Sequence, residues 1–224
     1  MLTTDQINTL LDVDDPYKAP ARLMTILFDK GKREALFRDF LEHEIRMDYD
    51  WFHIYYQEEQ AQRKTHKQDF TPNSISELIA KIAGSNPGSN LDVAAGTGGL
   101  TIQKWHHDQR KVSPFEYWPS NYFYQCEELS DRALPFLLFN MAIRGMNGTV
   151  VFGDTLSRKI KQVYFLQNDA NDFLGFSSIN VMPHTLDTEK EFQVYEWLEP
   201  EIDYIESPNP WKEMEKLGQQ TLDV

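Results

Sequence analysis

The chain has 224 residues, of which 41% are hydrophobic and 13% aromatic, so it is long enough to bury a core and is not a disordered protein. Its formal net charge is −13, which opposes nucleic-acid binding by the chain as a whole, because affinity for phosphates comes from Lys and Arg. A contact with DNA would therefore need a local basic patch or a partner subunit.

Three features indicate the cellular setting. Cys126 is the single cysteine, which excludes an internal disulfide and fits a reducing, cytoplasmic location. The N-terminus lacks a basic region followed by an apolar run, so we expect no signal peptide. No stretch of 18 apolar residues is present, and we expect no membrane span.

The first third of the chain is predicted to be helical. We expect a short helix and a turn over residues 1–18, and helix over residues 20–66, where apolar residues recur at helical spacing. These apolar positions are Leu36, Phe37, Phe40 and Leu41. An aromatic cluster follows, and we interpret it as core packing rather than as a platform for base stacking. Its members are Trp51, Phe52, Tyr55 and Tyr56. Residues 1–66 are assigned to a helical N-terminal region.

The segment "TPNSISELIAKIAG" predicts another helix. Thr71 is an expected N-cap with Pro72 at the first helical position, and Ser74 with Glu77 offers an alternative capping box. Gly84 is an expected C-terminal stop. The apolar face is predicted to consist of Ile75, Leu78, Ile79 and Ile82.

After the loop "SNPGSN", strands alternate with helices. "NLDVAA", "SNYFYQCEE" and "GTVVFGD" are typical of strands, and helical segments separate them. This alternation predicts a parallel sheet with helices on its faces. Three later strand candidates are "QVYFLQND", "FSSINVMP" and "FQVYEWL". We assign residues 67–205 to an α/β domain and residues 206–224 to a C-terminal tail.

A glycine-rich turn follows the first of these strands. It contains Gly96, Thr97, Gly98 and Gly99, and Asp92 precedes it. Glycines between a strand and a helix let a ligand approach the backbone near the helix N-terminus. The dinucleotide pattern G-x-G-x-x-G is absent, so the turn indicates a nucleotide-like ligand without naming it. A tight structural turn is the alternative.

Acidic residues end the next two strands. Glu127 and Glu128 follow the second strand, and an acid there accepts hydrogen bonds from both hydroxyls of a ribose. Asp154 ends the third strand, where its carboxylate would accept a hydrogen bond from an adenine amino group. A glycine turn followed by these two acids is the order expected for S-adenosylmethionine.

Four blocks in this order, "DFTP", "LDVAAGTGGLT", "YQCEELSDRA…FN" and "FGDTL", resemble the N6-adenine DNA methyltransferases. The likeness is closest to the modification subunits of type I restriction systems and covers about residues 66–156. It implies a Rossmann-like, S-adenosylmethionine-dependent methyltransferase fold. It also implies specificity or restriction subunits as partners.

The resemblance assigns cofactor contacts by position. Phe70, Thr71 and Pro72 would flank the methionine end of the cofactor. Glu128 would bind the ribose, although Glu127 lies one register away and stays an alternative. Asp154 would contact the adenine ring. The turn beneath the cofactor would comprise Asp92, Ala94, Gly96, Thr97 and Gly98.

The catalytic motif of the family is not found. The family uses Asn, Asp or Ser followed by Pro-Pro-aromatic at the end of the fourth strand, where it orients the target amine. Here the strand "QVYFLQND" ends at Asn168, which is the candidate for that polar position, and no proline pair follows. "SPNPW" at residues 207–211 has the right residue types with Asn209 inserted, as a displaced alternative.

These observations predict a cofactor-binding protein of the DNA adenine-N6 methyltransferase type, as one subunit of a restriction-modification enzyme. Whether it transfers a methyl group stays open. The alternatives are a catalytically inactive homologue that acts as a regulator or subunit, and an acidic decoy that occupies a restriction complex. No metal is expected, because His106, His107 and Asp108 are adjacent and do not share one helical face.

Overall fold

The computed structural model describes residues 2–61 and 71–208. The helices are α1 (Thr4–Leu11), α2 (Ala19–Leu27), α3 (Lys30–His43), α4 (His53–Ala61), α5 (Asn73–Ala83), α6 (Gly99–Arg110), α7 (Leu134–Ile143) and α8 (Leu186–Glu191). The strands are β1 (Gly88–Asp92), β2 (Tyr122–Glu128), β3 (Gly148–Asp154), β4 (Lys159–Gln167), β5 (Ser178–Val181) and β6 (Glu196–Trp197). Within these ranges, no helix is both long and apolar enough to cross a membrane.

The N-terminal helices pack on the α/β part through aromatic side chains. Phe37 of α3 is fully buried, and its ring centroid lies 4.9 Å from that of Phe139 of α7. Trp51, Phe52 and their neighbours Tyr55 and Tyr56 are also buried. The interpretation of this aromatic cluster as core is therefore confirmed, and its rings are not available to stack on a base.

The prediction of helix over residues 20–66 is wrong at residues 28–29 and 44–52. Helix α3 ends at His43, and Glu44 is extended, with φ −147° and ψ 116°. In the segment that follows, the carbonyls of Met47 and Tyr49 accept hydrogen bonds from Arg144 of α7. These carbonyls bind a distant side chain, and a short loop separates α3 from α4.

The predicted start of α5 is shifted by one residue. The helix begins at Asn73, with Pro72 at the N-cap position and no capping side chain, so Thr71 is not the N-cap. The alternative capping box is not formed either. Gly84 does end the helix, with φ +76°, as predicted.

The apolar residues of α5 lie on one face of the helix as predicted, but their side chains are exposed. Ile75, Leu78, Ile79 and Ile82 are 45%, 52%, 40% and 77% exposed. The buried residues are instead Ser76 and Ala80, one helical turn apart. Small residues at this spacing let α5 lie close to α6, and the larger apolar side chains are left outside.

The sheet has the order β1-β2-β3-β4-β5, with β6 pairing on β4. Strands β1, β2 and β3 are parallel, and α6 and α7 connect them. This β1-α6-β2-α7-β3 unit confirms the predicted Rossmann-like α/β class. Among the described strands, β1 pairs with β2 alone and forms an edge.

The expectation of a parallel sheet is wrong after β3. Strand β4 starts at Lys159, earlier than predicted, and runs antiparallel to β3. Residues 155–158 form the whole connection, and a parallel crossover needs a dozen residues or more. Strand β5 is antiparallel to β4, and β6 has two residues. Consequently, the carboxyl ends of β1, β2 and β3 meet at one edge, whereas β4 ends at the opposite edge.

Candidate functional site

A cavity of about 470 Å³ lies at the carboxyl ends of β1, β2 and β3. Each of these strands contributes one acid to its lining, namely Asp92, Glu128 and Asp154. Its volume falls within the range of small-molecule sites, and the carboxyl edge of a parallel sheet is where such sites form. The remaining lining residues are His53, Thr71, Ser76, Val93, Ala94, Ala95, Gly96, Thr97, Gly99, Leu100, Leu129 and Thr155.

The glycine turn adopts a conformation that requires glycine. Gly96 has φ +57° and Gly98 has φ +98°, both in the left-handed region. A Cβ atom on Gly98 would also lie 3.0 Å from Cδ1 of Leu137. The amide of Gly98 donates to the carbonyl of Ala95 (2.8 Å), and α6 begins at Gly99 with no side-chain cap. The turn therefore brings the N-terminus of α6 to the cavity.

Asp92 lies at the end of β1, directly before the turn, and is half-buried. Its Oδ1 accepts a hydrogen bond from the amide of Ala94 (3.3 Å), and its Oδ2 accepts one from the hydroxyl of Thr101 (3.3 Å). Burial raises the pKa of this carboxyl, and the two hydrogen bonds oppose that rise only in part. A negative charge on Asp92 therefore lowers the stability of the folded protein.

The two glutamates at the end of β2 point to different surroundings. Glu128 lines the cavity, where its Oε2 accepts from the amide of Gly96 and its Oε1 from the amide of Ser130, both at 2.7 Å. Glu127 instead pairs with Arg158 at 2.8 Å. Burial raises the pKa of Glu128. Of the two acids, only Glu128 is brought to the cavity.

Asp154 lies at the exposed end of β3. Its Oδ1 accepts from the amide of Leu156 (3.0 Å) and its Oδ2 from the hydroxyl of Ser157 (2.7 Å). The hydrogen bond from Ser157 is the main reason that the pKa of Asp154 is lowered. A hydrogen bond from Thr155 to the carbonyl of Val93 (3.2 Å) ties this turn to the end of β1.

The structure describes two of the three residues that precede α5 and were expected to flank the cofactor. Thr71 is exposed and lines the cavity, and Pro72 is exposed at the N-cap position of α5. Phe70 lies outside the described residues. Ser76 of α5 also lines the cavity, on the buried side of the helix.

His53, at the start of α4, lines the same cavity and was not predicted as a site residue. It comes from the N-terminal region, 39 positions before Asp92 in the printed sequence. No motif or spacing pattern marks it, because only the packing of α4 against α7 brings it there.

Asn168 is not brought to the cavity. Leu166 of β4 is paired with Gly148, the first residue of β3, so Asn168 lies at the amino edge of the parallel strands. Its Nδ2 donates to the carbonyls of Gly145 (3.1 Å) and Asp172 (2.7 Å), and its Oδ1 accepts from the amide of Asp172. The contacts that the structure gives Asn168 hold a turn together.

Cys126 and Ser207 do not line the cavity. Cys126 is fully buried, which raises the pKa of its thiol, and its Sγ lies 3.4 Å from the hydroxyl of Thr101. In "SPNPW", Ser207 is buried against Asn180, and residues 209–211 lie outside the described residues. The part of the chain that the structure describes contains no group of three or more metal-binding side chains.

Comparisons with known proteins give a structural neighbour and a family. One similar solved structure is a protein described as a modification subunit of a type I restriction enzyme from Vibrio vulnificus YJ016, at 15% identity and a TM-score of 0.39. The similar region covers 58% of this chain and 27% of that chain. No curated protein matches. The family model for N-6 DNA methylase matches residues 43–174, which is more than half of the chain, and the protein therefore belongs to the N-6 DNA methylase family.

Proposed function

We propose that this protein binds S-adenosylmethionine in the cavity at the glycine turn, as a member of a DNA adenine-N6 methylation system. The observation that carries the proposal is the convergence of Asp92, Glu128 and Asp154 on one cavity beside a left-handed glycine turn. The three acids come from three adjacent strands. They are therefore spaced along the sheet edge, as an elongated ligand with several polar groups requires.

The carboxylates retain capacity for a ligand. Each oxygen of Glu128 accepts one backbone amide, and a carboxylate oxygen has a second lone pair for a ribose hydroxyl. Asp154 likewise keeps lone pairs for an adenine amino group. The residues present thus fit the two ends of an adenosine.

The remaining part of the cofactor fits the turn. S-adenosylmethionine carries a positive sulfonium, which an acidic lining favours, and a carboxylate, which the N-terminus of α6 favours through its exposed amides and dipole. Thr71, which the family likeness assigns to the methionine end of the cofactor, lines the cavity. When bound, the cofactor would supply an electrophilic methyl group.

DNA contact is proposed to depend on a partner subunit or on a local patch. The charge of −13 opposes close approach of DNA to the chain as a whole. A specificity or restriction subunit of a restriction-modification enzyme is the partner that the family likeness suggests. A cytoplasmic location follows from that assignment.

A second candidate function is a cofactor-binding subunit that does not itself transfer the methyl group. The position of Asn168 favours it, because this candidate for orienting the target amine lies at the edge of the sheet opposite the glycine turn. In this role the cofactor would regulate assembly or complete a site shared with another subunit.

One preparation of the full chain tests both candidates. Calorimetry with S-adenosylmethionine and with S-adenosylhomocysteine measures binding, and a labelled-methyl assay on unmethylated DNA measures transfer. We expect saturable binding that Asp154→Ala weakens. Binding without transfer, even after addition of a partner subunit, selects the second candidate. If neither compound binds, the proposed function is wrong.

A further inference from the structure

A buried carboxylate from the N-terminal region reaches the glycine turn. Asp50 is 2% exposed and lies in the loop between α3 and α4, and it does not line the cavity. Its Oδ2 accepts a hydrogen bond from the hydroxyl of Thr97 (2.5 Å). Its Oδ1 accepts from the amide of Phe52 (2.9 Å) and from Nδ2 of Asn140 (2.7 Å). Asp50 thus joins the N-terminal loop, the turn and α7.

Thr97 is the residue between the two left-handed glycines. Its hydroxyl is held by Asp50, and its carbonyl accepts a second hydrogen bond from Nδ2 of Asn140 (2.8 Å). Glycines permit many backbone conformations, so a turn that contains three of them needs outside contacts to keep one shape. The two contacts on Thr97 fix the orientation of the peptide units between Gly96 and Gly98.

The opposite side of the same turn is held by Glu128, through the amide of Gly96. Glu128, which lines the cavity, and Asp50, which does not, therefore both hold the turn. Because these contacts act on adjacent residues, loss of the contact at Thr97 would also displace the amide that Glu128 binds.

Arg144 fixes the loop that carries Asp50. Its guanidinium is buried and donates to the carbonyls of Met47 and Tyr49, at 3.0 and 2.7 Å. It also donates to Oδ1 of Asn140 (2.8 Å), the residue that bridges it to Asp50. Burial raises the pKa of Asp50 and lowers that of Arg144 to about 10, and the attraction between the two opposite charges counters both shifts only in part.

We propose that Asp50 is a positioning residue for the cofactor site: through Thr97 and Asn140 it sets the shape of the glycine turn, so that ligand affinity depends on docking of the N-terminal loop. The proposal rests on the proposed function for its ligand. The effect of Asp50 on the turn does not depend on that function.

The test uses the full chain with Asp50→Asn, which keeps the size of the side chain and removes its charge. Hydrogen–deuterium exchange of peptides that cover residues 91–100 reports on the turn without ligand, and calorimetry with S-adenosylhomocysteine reports on affinity. We expect faster exchange in the turn and an affinity at least about tenfold lower, since hydrogen bonds to charged groups are worth that much.

Glu206→Gln is the matched control. Glu206 pairs with buried Arg33 of α3, so it also ties the N-terminal region to the rest of the chain, but it is remote from the turn. Both variants are compared after their melting temperatures are measured. We expect Glu206→Gln to lower the melting temperature with unchanged exchange in the turn and unchanged affinity.

A second pair of variants tests the same contact if Asp50→Asn does not fold. Thr97→Val removes the hydroxyl that donates to Asp50, whereas Thr97→Ser keeps it. We expect Thr97→Ser to keep slow hydrogen exchange in the turn and normal affinity for S-adenosylhomocysteine. We expect Thr97→Val to exchange faster and to bind more weakly. The proposal is overturned if Ser and Val behave alike, or if Glu206→Gln loosens the turn as much as Asp50→Asn. If wild-type protein binds no cofactor, the proposed function fails, and the exchange experiment still decides the role of Asp50.

Discussion

The Oε2 atom of Glu128 accepts a hydrogen bond of 2.7 Å from the backbone amide of Gly96. The acid at the end of β2 and the glycine turn after β1 are therefore joined directly. A change at Glu128 acts both on the ligand that it would contact and on the turn beneath that ligand.

Glu128→Gln is expected to weaken binding of S-adenosylhomocysteine by about 10- to 100-fold, as measured by calorimetry, because a charged acceptor of two amides is lost. Glu127→Gln is the control. Glu127 pairs with Arg158 outside the cavity, so its loss should leave affinity unchanged. Equal effects of the two variants would contradict the assignment of the cavity acid to Glu128.

Asp92→Asn is expected to stabilise the ligand-free protein at neutral pH by about 1 kcal/mol, which is roughly 2–4 °C in melting temperature. Burial raises the pKa of Asp92, so its charge is unfavourable in the folded state. Asn retains an acceptor for the amide of Ala94, and its amide donates to the hydroxyl of Thr101.

The same change predicts a pH dependence with a definite sign. Below the unfolded pKa of Asp92, near 4, both residues are neutral and the two proteins should be equally stable. As the pH rises through the higher folded pKa, the wild-type protein loses stability that the variant keeps. Thermal melts from pH 4 to pH 8 measure this difference, and a difference that shrinks with rising pH would refute the explanation.

Gly98→Ala is expected to lower the free energy of unfolding by about 1–3 kcal/mol. The residue has φ +98°, and the added methyl would lie 3.0 Å from Leu137. Gly99→Ala is the matched control, because Gly99 is helical and an added Cβ meets no atom within 4 Å. Urea denaturation of both variants measures the contrast. Equal losses would show that the left-handed conformation at Gly98 is not required.

Asn168→Ala is expected to lower stability by about 1–3 kcal/mol, because the buried carbonyl of Gly145 and the backbone of Asp172 lose their hydrogen bonds to its side chain. Its distance from the glycine turn predicts unchanged affinity for S-adenosylhomocysteine. If the variant had normal stability but impaired cofactor binding or methyl transfer, Asn168 would have to be assigned to the active site.

Local sequence patterns predicted the site residues that lie at or directly after the end of a strand. The glycines at positions 96 and 98 have the left-handed backbone that their residue type indicates, and Asp92, Glu128 and Asp154 line one cavity. These positions were predictable because consecutive parallel strands place their carboxyl ends at one edge. The register between Glu127 and Glu128 was not predictable, because adjacent side chains on a strand point to opposite faces.

Strand pairing and helix packing between distant parts of the chain decided where the other predicted residues lie. The direction of β4 moved Asn168 away from the glycine turn, although its sequence position resembles that of a catalytic residue. Periodicity identified the apolar positions of α5 correctly as one face, but only packing on α6 left Ile82 exposed and Ala80 buried.

The sequence by itself determined the order of strands and helices from β1 to β3, the glycine turn and the acids that follow the strands, because backbone preferences and side-chain periodicity act over a few neighbouring residues. Only the tertiary structure decided that Asp50, 47 positions before Thr97, holds that turn, and that His53 lines the cavity. Such contacts arise when helices and loops distant along the chain pack together, and local sequence carries no record of which surfaces will meet.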